Sequence, residues 1–92
     1  MRVLVVDDEP DVRALVGTAL EYAPVDLQLL EAGDGDEALR MVRHEHPDIV
    51  VLDLALPGRD GFSVLEELRR ESMLPVIVLR SEERRVGKEC RL

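Results

Sequence analysis

Asp53-Leu54-Ala55-Leu56-Pro57-Gly58-Arg59-Asp60-Gly61 decides the fold. Directly before it runs Asp48-Ile49-Val50-Val51-Leu52, an almost unbroken apolar strand. Parallel strands covered on both faces read this way, because neither face meets water. Asp53 falls where the strand ends, and Pro57, Gly58 and Gly61 then break the backbone into a loop. The first apolar run, Val3-Leu4-Val5-Val6, ends in the same manner, in Asp7-Asp8-Glu9. In open α/β sheets, ligands bind outside the carboxyl ends of the strands. Two buried strands ending in acids therefore predict one site with three or four carboxylates. Such a cluster repels itself unless a cation sits in it. Hard oxygen ligands suit Mg2+.

Outward from these two strands, the chain alternates. A first strand is expected over 2–6. Pro10 fits the first turn of a helix, with Asp8, Glu9 and Asp11 around its positive end. Val12, Leu15, Val16, Ala19 and Leu20 follow helical spacing, so a helix is predicted over 10–22 with these residues inward. Residues 25–32 alternate, with Val25, Leu27 and Leu29 set against Asp26, Gln28 and Leu30, which reads as an edge strand with one wetter face. Gly33-Asp34-Gly35-Asp36 forms a turn and a helix cap. A second helix over 35–46 places Ala38, Leu39 and Val42 inward and stops at Pro47. A third strand spans 48–53. A third helix spans 61–71, with Phe62, Leu65 and Leu68 on one face and Val64 beside them. Val76-Ile77-Val78-Leu79 is the fourth strand.

Strict alternation of strands and helices predicts a parallel sheet. The acids of the first and third strands must meet, so those strands are neighbours and the expected order is 2-1-3-4. The fourth strand is apolar throughout, yet this order leaves it at an edge, which is an aggregation liability. A fifth strand and its flanking helices are therefore expected to be missing.

The totals limit the function. The chain has 92 residues and a net charge of −8, with 46% hydrophobic and 35% charged residues. That length fits one small domain. The acidic balance and only two aromatics, Tyr22 and Phe62, argue against direct nucleic-acid binding by this segment. No apolar run is long enough to span a bilayer, and the first strand follows Met1-Arg2 with no room for a signal peptide. One cysteine, Cys90, excludes an internal disulfide. A cytoplasmic setting is expected.

With Asp7-Asp8-Glu9-Pro10 closing the first strand, Asp53 closing the third, and Pro57-Gly58 and Asp60-Gly61 in the loop, residues 1–79 resemble the receiver domain of bacterial two-component response regulators. The resemblance implies a flavodoxin-like, three-layer α/β/α fold, truncated after the fourth strand. It implies that Asp53 is the phosphoacceptor, a carboxylate nucleophile charged by a sensor histidine kinase. It implies a Mg2+ site built from Asp7, Asp8, Asp53 and the backbone carbonyl of Ala55. Asp8 would be the direct ligand and Asp7 its companion through water. Phosphoryl transfer needs in-line positioning and a cation on the equatorial oxygens, and the acidic mouth is expected to hold no cation of its own.

Two family positions depart. Arg80 stands where the family ends its fourth strand in Thr or Ser, and Ser81 follows one residue late. The lysine that the family carries at the end of a fifth strand has no counterpart, and Lys88 is not promoted to that role. The dimerisation and signalling face is missing as well. The expected function is thus a signalling module, not an enzyme, that accepts phosphate without transmitting a signal. Two other readings stand beside it. One is a metal-dependent phosphohydrolase with an aspartyl nucleophile, although such enzymes carry an acid two residues later, where Ala55 stands here. The other is a non-functional gene fragment.

Bland readings suffice elsewhere. Asp34 and Asp36 read as capping and solvated, His44 and His46 as solvated at a helix end, and Asp60 and Gly61 as loop and helix-start residues. Arg84-Arg85 with Lys88 is too short a run for a nucleic-acid patch. Residues 80–92 carry five basic and three acidic residues against a strongly acidic 1–79, and read as a non-native or disordered tail. The run from Arg80 to Arg91 resembles one translated frame of a sequencing adapter. Long-read sequencing of the source DNA across codons 76–92 tests this: a frame continuing into a Thr- or Ser-ended fourth strand is expected, and intact genomic DNA encoding the same tail refutes it.

Overall fold

Four strands and three helices are placed by a computed structural model, which describes residues 1–56 and 60–79. They are β1 (Arg2–Val6), α1 (Pro10–Leu20), β2 (Gln28–Ala32), α2 (Gly35–Glu45), β3 (Ile49–Asp53), α3 (Gly61–Glu71) and β4 (Val76–Leu79). All strand pairings are parallel and the order is β2-β1-β3-β4. This is the parallel 2-1-3-4 order expected from the alternation, in the flavodoxin-like topology that the resemblance implies, with the two acid-ended strands side by side. Arg80, Ser81, Lys88, Cys90 and the rest of the tail, together with Pro57, Gly58 and Arg59, lie outside the described residues.

Period-two alternation sorts each strand onto two faces. Leu4 and Val6 of β1 and Val50 and Leu52 of β3 face one way and are buried. Ala38, Leu39 and Val42 of α2 and Val64 and Leu68 of α3 close over them, with Leu30 and Val76 packed alongside. Val3 and Val5 face the other way and are also buried. Leu29 pairs with Val3 in register, and a Cβ on Gly17 would come within 2.8 Å of the Leu29 side chain. Helix α1 therefore lies on this second face, and Gly17 permits its close approach to β2.

The helix boundaries have local causes. Pro10 occupies the first turn of α1. Asp34 caps α2 by accepting the Glu37 N–H at 2.8 Å, while Glu37 accepts the Gly33 N–H at 2.9 Å. This is a variant of the capping box in which the glutamate reaches one residue beyond the N-cap, and two otherwise open donors are satisfied. His46 ends α2 in the left-handed region, at φ 51°, and Pro47 prevents continuation. Arg43 ties α2 to α3 through Glu71 at 2.5 Å and Glu67 at 3.3 Å. The hydrogen bond from Arg43 holds the Glu71 carboxyl below its usual range. This pair adds stability above the ordinary Glu range, and the gain fades as pH falls through the lowered value. Both side chains are well exposed, so the gain is small.

Four expectations need correction. Strand β2 begins at Gln28 rather than near 25, because pairing starts where the Gln28 N–H meets the Met1 carbonyl at 2.8 Å. Its presumed wet face is also reversed at Leu30, which packs on the core. Phe62 is 56% exposed, because the buried stripe of α3 runs through Gly61, Val64 and Leu68, with Leu65 half-buried. Finally, α1 buries none of its residues and Leu15 is 69% exposed. Among the described residues α1 is the sole helix on its face, so no neighbouring helix covers its flank.

These differences separate two apolar residues of α3 that look alike in sequence. Leu68→Ala is expected to cost about 2–5 kcal/mol of stability, the range for truncating a fully buried leucine. Phe62→Ala should cost far less. Urea denaturation of the two variants checks the order.

Candidate functional site

Parallel pairing brings the acids together. Val6 of β1 is in register with Leu52 of β3, so Asp7 and Asp53 are the next residues on adjacent strands. Asp7 is 1% exposed and Asp53 fully buried. Asp8 follows at the rim. One carboxylate oxygen from each of Asp7, Asp8 and Asp53 lies within 4.8 Å of the other two. The strand ends thus bring three carboxylates together, as expected from their sequence. Glu9, the possible fourth member, is exposed and caps the start of α1.

The two strand ends are built alike. Asp7 Oδ1 accepts the Glu9 N–H and Asp53 Oδ1 accepts the Ala55 N–H, each at 2.9 Å. Short polar side chains bond the backbone two residues on in this way, turning the chain sharply out of the strand. Each acid thus spends an oxygen on its own corner and is held in place by it. The half-buried Ala55 meets Asp53 through its N–H. By contrast, Asp8 Oδ1 is buried and has no hydrogen-bond partner. Buried polar atoms are nearly always satisfied, so this orphan acceptor is the one buried carboxylate oxygen of the cluster that the described residues leave open to a donor or a cation.

Asp60 and Gly61 play the helix-start roles expected of them. Asp60 accepts the Phe62 N–H at 3.2 Å, and the Gly61 N–H donates to the Leu54 carbonyl at 3.1 Å. A Cβ on Gly61 would sit 2.4 Å from Leu54 Cα. Only glycine lets the start of α3 lie directly on the backbone that follows Asp53.

One residue escaped the sequence reading. Arg13 Nη1 donates to the Asp7 carbonyl at 2.5 Å and Nε to Glu31 at 2.9 Å. A cation therefore does stand beside the acidic corner, bonded to its backbone and engaged with Glu31. The signal was an arginine as the fourth residue of a helix whose start is otherwise acidic, where the helix dipole disfavours positive charge.

A parallel sheet whose two central strands end in clustered carboxylates, Asp7 and Asp53 buried and Asp8 half-buried, has the topology of flavodoxin-like proteins, in which ligands bind outside the carboxyl ends of the strands. The chain belongs to the response regulator receiver domain family, whose model matches residues 3–89. That span runs past Leu79, where β4 ends. A probable transcriptional regulator, ycf27, of Porphyridium aerugineum is 45% identical over 78 residues, covering 85% of this chain and 32% of that protein. This chain spans about a third of the length of the curated relatives it matches. The BeF3-activated N-terminal receiver domain of Klebsiella pneumoniae RstA superposes with a TM-score of 0.81 at 32% identity, over 88% of this chain and 68% of that one. The Mn(2+)-bound form of the response regulator Rcp1 gives 0.77 at 31% identity, over 87% of this chain and 65% of that one. Receiver domains of this family are signalling domains of two-component systems that interact with histidine kinases. No helix among the described residues is long and apolar enough to cross a membrane.

The Gly61 contact generates a sharp expectation. Gly61→Ala must displace the Leu54 backbone, and overpacking of this kind costs about 1–3 kcal/mol. Its amide fingerprint should change at Leu54 and Ala55, next to Asp53. Denaturation together with amide chemical shifts checks both effects.

Proposed function

We propose that this chain is the phosphoacceptor part of a response regulator, with Asp53 as the residue that receives the phosphoryl group from a sensor histidine kinase. The single observation that carries the reading is the trio Asp7, Asp8 and Asp53, within 4.8 Å and with Asp8 Oδ1 buried and unpartnered. In the transfer, a carboxylate oxygen of Asp53 forms a bond to phosphorus as the phosphorus–nitrogen bond of the kinase phosphohistidine breaks. The imidazole is the leaving group. Asp53 is held for this by the Ala55 N–H, which fixes the carboxylate against rotation.

The donor set fits a Mg2+ ion. Asp8 would offer its unpartnered oxygen, with Asp7 and Asp53 beside it, and the Ala55 carbonyl would complete the set of oxygen donors. A small hard cation of this kind prefers such donors together with water. When bound, it neutralises charge on the phosphoryl oxygens and relieves repulsion among the carboxylates. A solved relative described as Mn(2+)-bound is in keeping with this.

Ala55 brings no carboxylate to activate water, which favours a phosphoacceptor over a phosphohydrolase. The parent protein regulates transcription in this proposal, as the names of its relatives state of them. This segment serves as its switch input rather than its nucleic-acid contact, in keeping with a net charge of −8. The setting is cytoplasmic. We also propose that the receiver-like part ends near residue 79 and that transmission depends on segments beyond it.

Incubation with a small phosphodonor and Mg2+ is expected to add the mass of one phosphoryl group. Asp53→Asn should abolish the gain, and so should chelation of the metal. A gain that persists in Asp53→Asn overturns the assignment.

A further inference from the structure

We propose that Arg13 is the positioning residue of the acidic site: it fixes Asp7, and through Asp7 the place where the cation sits. This rests on the reading of the site as a Mg2+-dependent phosphoacceptor.

Arg13 stands near the positive end of α1, where a cation is disfavoured. Its side chain is nevertheless only 18% exposed. Partners on two other elements offset that cost. Nη1 donates to the Asp7 carbonyl at the end of β1, and Nε pairs with Glu31 on β2. One guanidinium thus links a helix and two strands. Gly33 lies beside it, at ordinary contact distance: an added Cβ there would be 3.5 Å from Nη1.

Asp7 is held at its backbone N–H, at its backbone carbonyl and at one carboxylate oxygen. Its N–H donates to the Ala32 carbonyl at 3.1 Å. Its carbonyl accepts from Arg13 at 2.5 Å. Its Oδ1 accepts the Glu9 N–H at 2.9 Å. The peptides on both sides of its Cα are therefore anchored. The carbonyl that Arg13 grips belongs to the Asp7–Asp8 peptide, so the same bond sets the direction in which Asp8 leaves the strand. Without Arg13 that peptide can rotate, and both acids lose their common aim. The planar fork of a guanidinium can hold a carbonyl and a carboxylate at once, whereas an ammonium is a point donor.

The test is calorimetric titration of the full chain with Mg2+, comparing wild type with Arg13→Gln, Arg13→Lys and Glu31→Gln, alongside melting in chelator. Arg13→Gln is expected to weaken Mg2+ binding about tenfold or more, the scale for losing a group that orients a metal ligand. Glu31→Gln keeps the bond to the Asp7 carbonyl and should weaken binding much less. Arg13→Lys should fall between them. Equal Mg2+ affinity in wild type and Arg13→Gln overturns the inference, even if the variant melts earlier, because a simple brace would do only that. Should Arg13→Gln fail to fold, the other two variants decide: Arg13→Lys binding more weakly than Glu31→Gln supports the role, and equal affinities refute it. A wild-type chain that binds no Mg2+ removes the reading of the site itself, an outcome distinct from either.

Discussion

Parallel pairing of β1 with β3 is the constraint on which the molecule depends. It sets Val6 against Leu52 and so leaves Asp7 and Asp53 side by side, both buried. Burying two neighbouring carboxylates is costly unless something of opposite charge or strong hydrogen bonding compensates. The chain meets part of that cost with two matched corners, in which each acid accepts the N–H two residues on. Beside them, Asp8 keeps one buried oxygen without a hydrogen-bond partner. Everything else in the sheet serves this juxtaposition. The core under α2 and α3 fixes the register, Gly61 lets α3 start against Leu54, and Arg13 clamps the peptide between the two adjacent acids.

The described part of the molecule is asymmetric. One sheet face carries two helices and a continuous apolar core. The other carries α1, which buries none of its residues. On this second face Ile77 is 50% and Leu79 37% exposed at β4. Stability in such a body is unevenly distributed, because local opening is easiest where few apolar contacts are lost. The site straddles this division. Asp53 belongs to the well-covered β3, whereas Glu9 and the corner after Asp7 lead directly into α1.

Much of this was legible in the sequence, for identifiable reasons. Strands buried on both faces are continuous apolar runs, so Val3-Val6 and Ile49-Leu52 were clear, and the acids that close them were clear with them. Strand order followed because the carboxylates had to meet. Phe62 was misread because helical spacing gives a stripe but not its centre. Gly61, which touches backbone and has no side chain to weigh, turned out to define that centre. Leu15 was misread because amphipathic spacing in α1 records a partner surface, while its exposure depends on what else lies on that face. Arg13 was overlooked because a single arginine on a helix ordinarily reads as solvated. Its meaning comes from Glu31, eighteen residues away, and from a backbone carbonyl that no sequence pattern displays.

The weak seating of α1 gives the acidic corner a second physical role. Glu9 is both the residue whose N–H holds Asp7 and the cap from which α1 begins. Fraying of the helix and loosening of the corner are therefore one motion. A ligand that prefers the ordered corner lowers the free energy of the closed form alone and slows that opening. Amide hydrogen exchange along α1 then becomes a clock whose rate is set at the carboxylates, with the helix acting as a hinged cover whose latch is charge.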